Sequence, residues 1–155
     1  MLDFATTDLM AAIAHHVLIF ALAAVLAFEI GVVRQGLTAA DIRRVGRVDL
    51  WYGILAALIV AAGFYRAIYA AKGWEYYSHN YFFWAKIGTF AVVGLLSVPP
   101  TVAFLRWRGA LADDAAFLPQ PAAIAGIRRF LWAEAFLFAL IPAFAAAMAR
   151  GYGMM

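Results

Sequence analysis

Four apolar stretches of a length that crosses a bilayer constrain this chain more than any other feature. They lie at about 9–33, 50–71, 81–104 and 130–149, and roughly 20 apolar residues suffice to cross about 30 Å of hydrocarbon as a helix. Backbone amides in lipid must find partners within their own segment, so each stretch is read as an α-helix. The expected fold is all-α: one transmembrane domain over residues 1–155, an antiparallel up-and-down four-helix bundle. Composition agrees, with 67% of residues hydrophobic and 14% charged, too apolar for a soluble domain of this size. The first stretch is not a cleaved leader, because it lacks a basic start and is interrupted by His15, His16 and Glu29.

Charge gives the spans a direction. The segment between spans one and two carries Arg34, Arg43, Arg44 and Arg47, and the one between spans three and four carries Arg106, Arg108, Arg128 and Arg129. The loop between spans two and three carries only Lys72, and the N-terminal tail has neither Lys nor Arg. Because Lys and Arg stay on the cytoplasmic side, the expectation is a multi-pass protein of the bacterial inner membrane with both termini periplasmic. Topology accounts for the arginines, and no nucleic-acid role is assigned to them. Pro99 and Pro100 are expected to kink or end span three. The loop at about 109–126, with Pro119 and Pro121, is read as holding a short surface helix. Trp74, Tyr76, Tyr77, Tyr81 and Trp84 read as an aromatic belt at the outer interface.

Ionisable residues within spans are expensive and usually functional. Here they fall into two layers. His15 lies roughly 9 Å below the outer end of span one, and Arg66 and Lys86 lie roughly 8 Å below the outer ends of spans two and three. His15 or His16, Arg66 and Lys86 therefore share one depth, with no acidic residue of the spans beside them, and the level calls for an anionic guest. The inner layer holds Glu29, Asp49 and Glu134 near Arg34, Arg44 and Arg47. It reads either as ion pairs pinning helix ends or as a proton path using Glu29 and Glu134. His15 and Glu29 are 14 residues apart, about 40° on a helical wheel, whereas His16 points about 100° away from His15. If Glu29 faces the bundle, His15 is the better interior candidate.

Neutral imidazole ligates haem iron and other metals, and Arg and Lys are the usual partners of carboxylates. A histidine beside two cations suits a haem with two propionates, a structural hydrogen-bonded cluster, or another metal or anion. Met10, Met148, Met154 and Met155 all lie on the outer side, and thioether with imidazole suits Cu(I). There is no cysteine, which excludes disulfides and thiolate chemistry. Nucleotide-binding loops, nucleophile elbows and zinc-protease signatures are absent.

The stretches AHHVLIFALAAVLAFEIGVVR, RRVGRVDLWYGILAALIVAAGFYRAIYAAKG and YYSHNYFFWAKIGTFAVVGLLSVPPT resemble a bacterial family of four-helix membrane proteins of unknown function, over about residues 9–108. More distantly, the chain is similar to the HemJ-type protoporphyrinogen oxidases and to the membrane domain of CopD-type copper proteins. The HemJ-type pattern is a first-helix histidine, an arginine-rich segment entering helix two, and a W-x-K element opening helix three. Its counterparts here are His15 or His16, then Arg43, Arg44 or Arg47, then Trp84 and Lys86. The paired histidines, Asp49, Gly63 with Arg66, and the YYSHN loop depart from that pattern.

The resemblance implies a haem b protein with porphyrinogen oxidation or quinone-linked redox activity. His15 or His16 would ligate metal, Arg66 and Lys86 would act on the substrate or hold carboxylates, and Tyr65 and Trp84 would line the cofactor. The alternatives are a CopD-like copper or small-ion protein using His15, His16, Met10 and Met148, and a non-catalytic membrane partner subunit. A homodimer is also expected as an arrangement open to lipid-facing aromatics such as Phe136 and Phe138.

Overall fold

The computed structural model describes residues 3–69 and 73–155; Lys72 and the expected end of span two at Ala71 lie outside the described residues. The elements are α1 (Phe4–Val32), α2 (Ala39–Tyr69), α3 (Gly73–Ser78), α4 (Tyr81–Asp113) and α5 (Pro121–Ala149). All but α3 are long and apolar enough to cross a membrane. They pack antiparallel as a ring in which α1 meets α2, α2 meets α4, α4 meets α5, and α5 closes on α1. Among the described residues the backbones of the diagonal pairs do not come close, and α2 reaches α5 through a side-chain hydrogen bond from Tyr52 to Glu134. Both chain termini therefore sit at one end, here the terminal end, and the arginine-rich connections at the other, the basic end.

The helices outrun the apolar stretches because their capping chemistry lies outside the membrane. Asp3 caps α1, its carboxylate accepting the Thr6 amide at 2.7 Å, so the helix begins at Phe4 rather than near residue 9 and includes Asp8. At α2 the Thr38 hydroxyl donates to Asp41 Oδ2 at 2.7 Å and accepts the Asp41 amide at 3.2 Å, a reciprocal cap that starts the helix at Ala39. The first arginine segment is thus largely helical, and α2, at 31 residues and about 46 Å, extends past the hydrocarbon. Pro121 opens α5 at a position where a missing N–H is harmless.

Two expectations are corrected by these boundaries. The loop at 109–126 holds no separate surface helix: its first residues continue α4 to Asp113 and its last belong to α5, leaving a connection at 114–120. Pro99 and Pro100 do not end span three; α4 runs through both. Pro100 is fully buried, and prolines are tolerated within membrane helices because neighbouring helices, side chains and local adjustment satisfy the carbonyls they free.

Tight packing concentrates toward the basic end. Leu22, Leu26, Ile42, Val45, Phe104 and Leu131 form its centre, with Val33 and Leu37 of the α1–α2 connection packed in. Gly46 lets α2 approach α4 closely: a Cβ there would collide with the Arg108 side chain, which donates to the Gly46 carbonyl at 3.2 Å. A smaller cluster of Ala67, Phe83 and Met148 holds the terminal end. Elsewhere the spans turn outward, with only 11–17% of each window buried, so side chains such as Phe20, Leu95 and Phe136 face the lipid.

The aromatic belt is also a cap. Trp74, Tyr76 and Tyr77 ride on α3, and Tyr76 donates to the Met148 carbonyl at 3.1 Å. The C-terminal tail folds back over this end. Tyr81 N–H donates to the Gly153 carbonyl at 2.8 Å and Met155 N–H to the His79 carbonyl at 2.9 Å. Gly151 and Gly153 have φ of 81° and 80°, the left-handed region open to glycine at little cost.

Candidate functional site

The terminal end brings together residues from three helices. His15 of α1 faces α2, where a Cβ on Gly63 would stand 3.3 Å from the imidazole Cε1. A side chain there would crowd the ring, and the glycine leaves it room between these helices. Its Nδ1 is buried without a hydrogen-bond partner. Arg66 of α2, three residues beyond Gly63, and Lys86 of α4 both lie within electrostatic range of His15. Lys86 Nζ sits 5.0 Å from the centroid of the Phe83 ring, a cation–π placement.

His16 goes elsewhere. It is exposed, and its Nδ1 lies 2.6 Å from the Ala12 carbonyl. Glu29 faces the bundle interior, being 2% exposed, and His15 lies on the same face, as the 14-residue spacing requires. The third histidine, His79, is exposed with Nδ1 2.8 Å from the Glu75 carbonyl.

Outward from His15, between α1 and α2, lies a cavity of about 290 Å³ lined by Phe4, Thr7, Asp8, Ala11, Tyr65, Arg66 and Tyr69. Asp8 Oδ1 and Arg66 Nε are both buried there without hydrogen-bond partners. The seam from Asp8 to His15 thus carries three unsatisfied polar atoms, whereas buried polar groups are ordinarily paired. Asp8 adds an acidic group to the cavity beside Arg66, outward of the cationic level. It lies two turns outward of His15 on the same face, and Asp3 capping is what brings it into the helix.

Other candidates are distributed differently. Tyr65 is on the cavity wall, its ring 5.1 Å from that of Tyr69. Trp84 is turned to the aromatic cap: its indole donates to the Ser78 carbonyl at 2.9 Å and its ring lies 6.4 Å from Trp74. Two residues separate it from Lys86, about 200° around α4. Arg43, Arg44 and Arg47 sit in the first turns of α2, the last of them 16 residues from Gly63, about 24 Å along the axis. Met10 is exposed, and Met148 packs with Ala67 and Phe83. Among the described residues no three His, Asp or Glu side chains gather as a metal would require.

The donor set at the seam nonetheless suits a haem. It offers one buried unpaired imidazole nitrogen and two cations for carboxylates. The adjoining cavity is at the lower edge of the roughly 300–1,000 Å³ usual for small-molecule sites.

The inner layer differs from an array of interfacial ion pairs. Glu29, Asp49 and Glu134 are all buried. Tyr52 donates to Glu134 Oε2 at 3.0 Å and Thr101 to Asp49 Oδ1 at 2.8 Å. Two arginines at this end bond the backbone instead. Arg108 bonds the Gly46 carbonyl, and Arg128 bonds the carbonyls of Ile30 and Val33 at the end of α1, where a cation also complements the helix dipole. Tyr52 and Thr101 escape a reading that looks only for charge, although Tyr52 shares a helical face with Asp49 three residues earlier.

No curated protein matches the chain, and no solved structure matches it. The family model described as predicted membrane protein (DUF2214) matches residues 7–153. That match takes in α1 from residue 7 onward, all of α2, α4 and α5, both polar layers and most of the C-terminal tail. The chain belongs to the DUF2214 family of predicted membrane proteins.

Proposed function

We propose that the terminal end of the bundle binds haem b and that the protein is a membrane redox protein of the HemJ type. The observation that carries this reading is His15: an imidazole seated against Gly63, its Nδ1 buried and unbonded, with two cations in range. His15 would hold the iron. Arg66 and Lys86 bind carboxylates, either haem propionates or those of a porphyrinogen. Tyr65 closes the cavity wall beside Arg66, and Asp8 opposite offsets part of the positive charge there. A haem held in this place supplies one-electron chemistry at its iron, which suits porphyrinogen oxidation with quinone as the acceptor.

Eight of the 12 Lys and Arg residues lie at the basic end, which supports a cytoplasmic basic end and periplasmic termini. Because the chain has no cysteine, single cysteines placed at Asp113 and Tyr152 report orientation by labelling from one side only.

Expression with ample haem, purification and an absorption spectrum test the haem reading. A Soret band is expected in the wild type, lost in His15→Ala and Gly63→Leu and kept in His16→Ala, since His16 is exposed and bonded to its own helix. A folded wild type without the band, or His15→Ala that keeps it, overturns the assignment. Stoichiometric copper without porphyrin replaces it with a copper site.

A further inference from the structure

The opposite end of the bundle holds a second polar centre. Three helices each bring it a carboxyl group: Glu29 from α1, Asp49 from α2 and Glu134 from α5, exposed by 2%, 8% and 1%. The fourth, α4, brings Thr101, whose hydroxyl is bonded to Asp49, and α2 adds Tyr52, bonded to Glu134. Glu29 is within electrostatic range of both other carboxyls, and Tyr52 of all three. After these bonds are made, Glu29 Oε1 and Glu134 Oε1 remain buried without partners. Arg108 and Arg128, on the packed elements, bond backbone carbonyls, and neither free carboxyl oxygen has a hydrogen-bond partner among the described residues.

Desolvation and like-charge repulsion both oppose full ionisation of such a group, so a positive occupant is needed. A metal ion would require at least three ligands converging on one point, and among the described residues no such set of His, Asp or Glu exists. A proton requires only one carboxyl oxygen and an acceptor, and the two unpartnered oxygens meet that need. Glu29 lies three residues from the end of α1, about 5 Å along the axis, so the centre is roughly one turn from the basic-end connection.

We propose that Glu29, Asp49 and Glu134, with Tyr52 and Thr101, form a proton-binding site that exchanges protons with solution at the basic end of the bundle. Uptake forms one O–H bond on a carboxylate oxygen at the expense of a hydronium ion or water, and release reverses it; no other reactant is involved. The site stands on this geometry alone and does not depend on a haem at the other end.

The test uses the full chain in lipid nanodiscs and infrared difference spectra recorded across a pH step. At neutral pH the wild type should show the carbonyl stretch of protonated carboxylic acid, shifted on exchange into D2O. Glu29→Gln and Glu134→Gln should each weaken it, while Asp113→Asn, at an exposed position, should leave it unchanged. Tyr52→Phe keeps every carboxyl and should move the band without removing it, which preserves the test if a glutamine variant fails to fold. A folded wild type lacking the band overturns the proposal, as does a band indifferent to both glutamine variants. Loss of the band on adding Na⁺, K⁺ or Mg²⁺ at constant pH also overturns it, in favour of a cation site.

Discussion

Replacing Asn80 should loosen the terminal end in a way that separates two roles of one side chain. Asn80 is fully buried. Its Oδ1 caps α4, accepting the Phe82 amide at 2.9 Å and the Phe83 amide at 3.4 Å, and its Nδ2 donates to the Tyr152 carbonyl at 2.9 Å. Asn80→Ala removes both roles, with about 1 kcal/mol lost for the cap and about 1 kcal/mol for the donated bond. Asn80→Ser keeps a capping oxygen and loses only the donor, about 1 kcal/mol. At 2–4 °C per kcal/mol for a chain of this size, thermal unfolding should fall by about 4–8 °C for the alanine and about 2–4 °C for the serine. Amide exchange provides the second reading. The Met155 amide, bonded to the His79 carbonyl, should exchange faster in both variants because both release the tail. Equal melting of the two variants, or wild-type exchange at Met155 in both, would refute the division of roles.

Two further predictions concern the core and the first helix. Phe104 is fully buried at the centre of the basic-end core, so Phe104→Ala should destabilise the bundle by about 3–5 kcal/mol; Leu105→Ala, at a position 58% exposed, should change it by about 0.5 kcal/mol or less. Paired unfolding measurements in the same detergent check the contrast. The Thr6 bond holds the Asp3 carboxyl below its ordinary value of 3.8. Its capping contribution is therefore complete above that pH and lost as pH falls through the lower folded value. Faster exchange of the Thr6 and Thr7 amides should appear only below about pH 4 in the wild type, whereas Asp3→Ala should show it at neutral pH.

The four spans were legible because the bilayer enforces a length and an apolar composition that no other environment demands. Helix ends were less so, since hydropathy reports the part of a helix in lipid and not the part beyond it. The Thr38–Asp41 cap and the Asp3 cap stand in the sequence, but they lie outside the apolar windows that mark the spans. The choice between His15 and His16 was legible as a conditional, because a 14-residue spacing returns to nearly the same face whatever the partner helix. Asp8 was not, although its seven-residue spacing from His15 follows the same rule, because it precedes the apolar stretch that begins near residue 9. Trp84 shows the converse case: it is close to Lys86 in sequence, but two residues along a helix turn it to another side of α4.

By itself, the sequence determined the number of spans, their alternating direction, the basic end and the depth at which His15, Arg66 and Lys86 sit. Each of these follows from position along an axis, which helical rise fixes without knowledge of neighbours. Only the tertiary structure decided what those side chains meet: Gly63 opposite His15, Asp8 on the cavity wall, and arginines bonded to helix carbonyls while Glu29, Asp49 and Glu134 share Tyr52 and Thr101. Such pairings depend on how four helices are rotated and ordered around the ring, and packing sets that rotation through contacts between residues far apart in the chain.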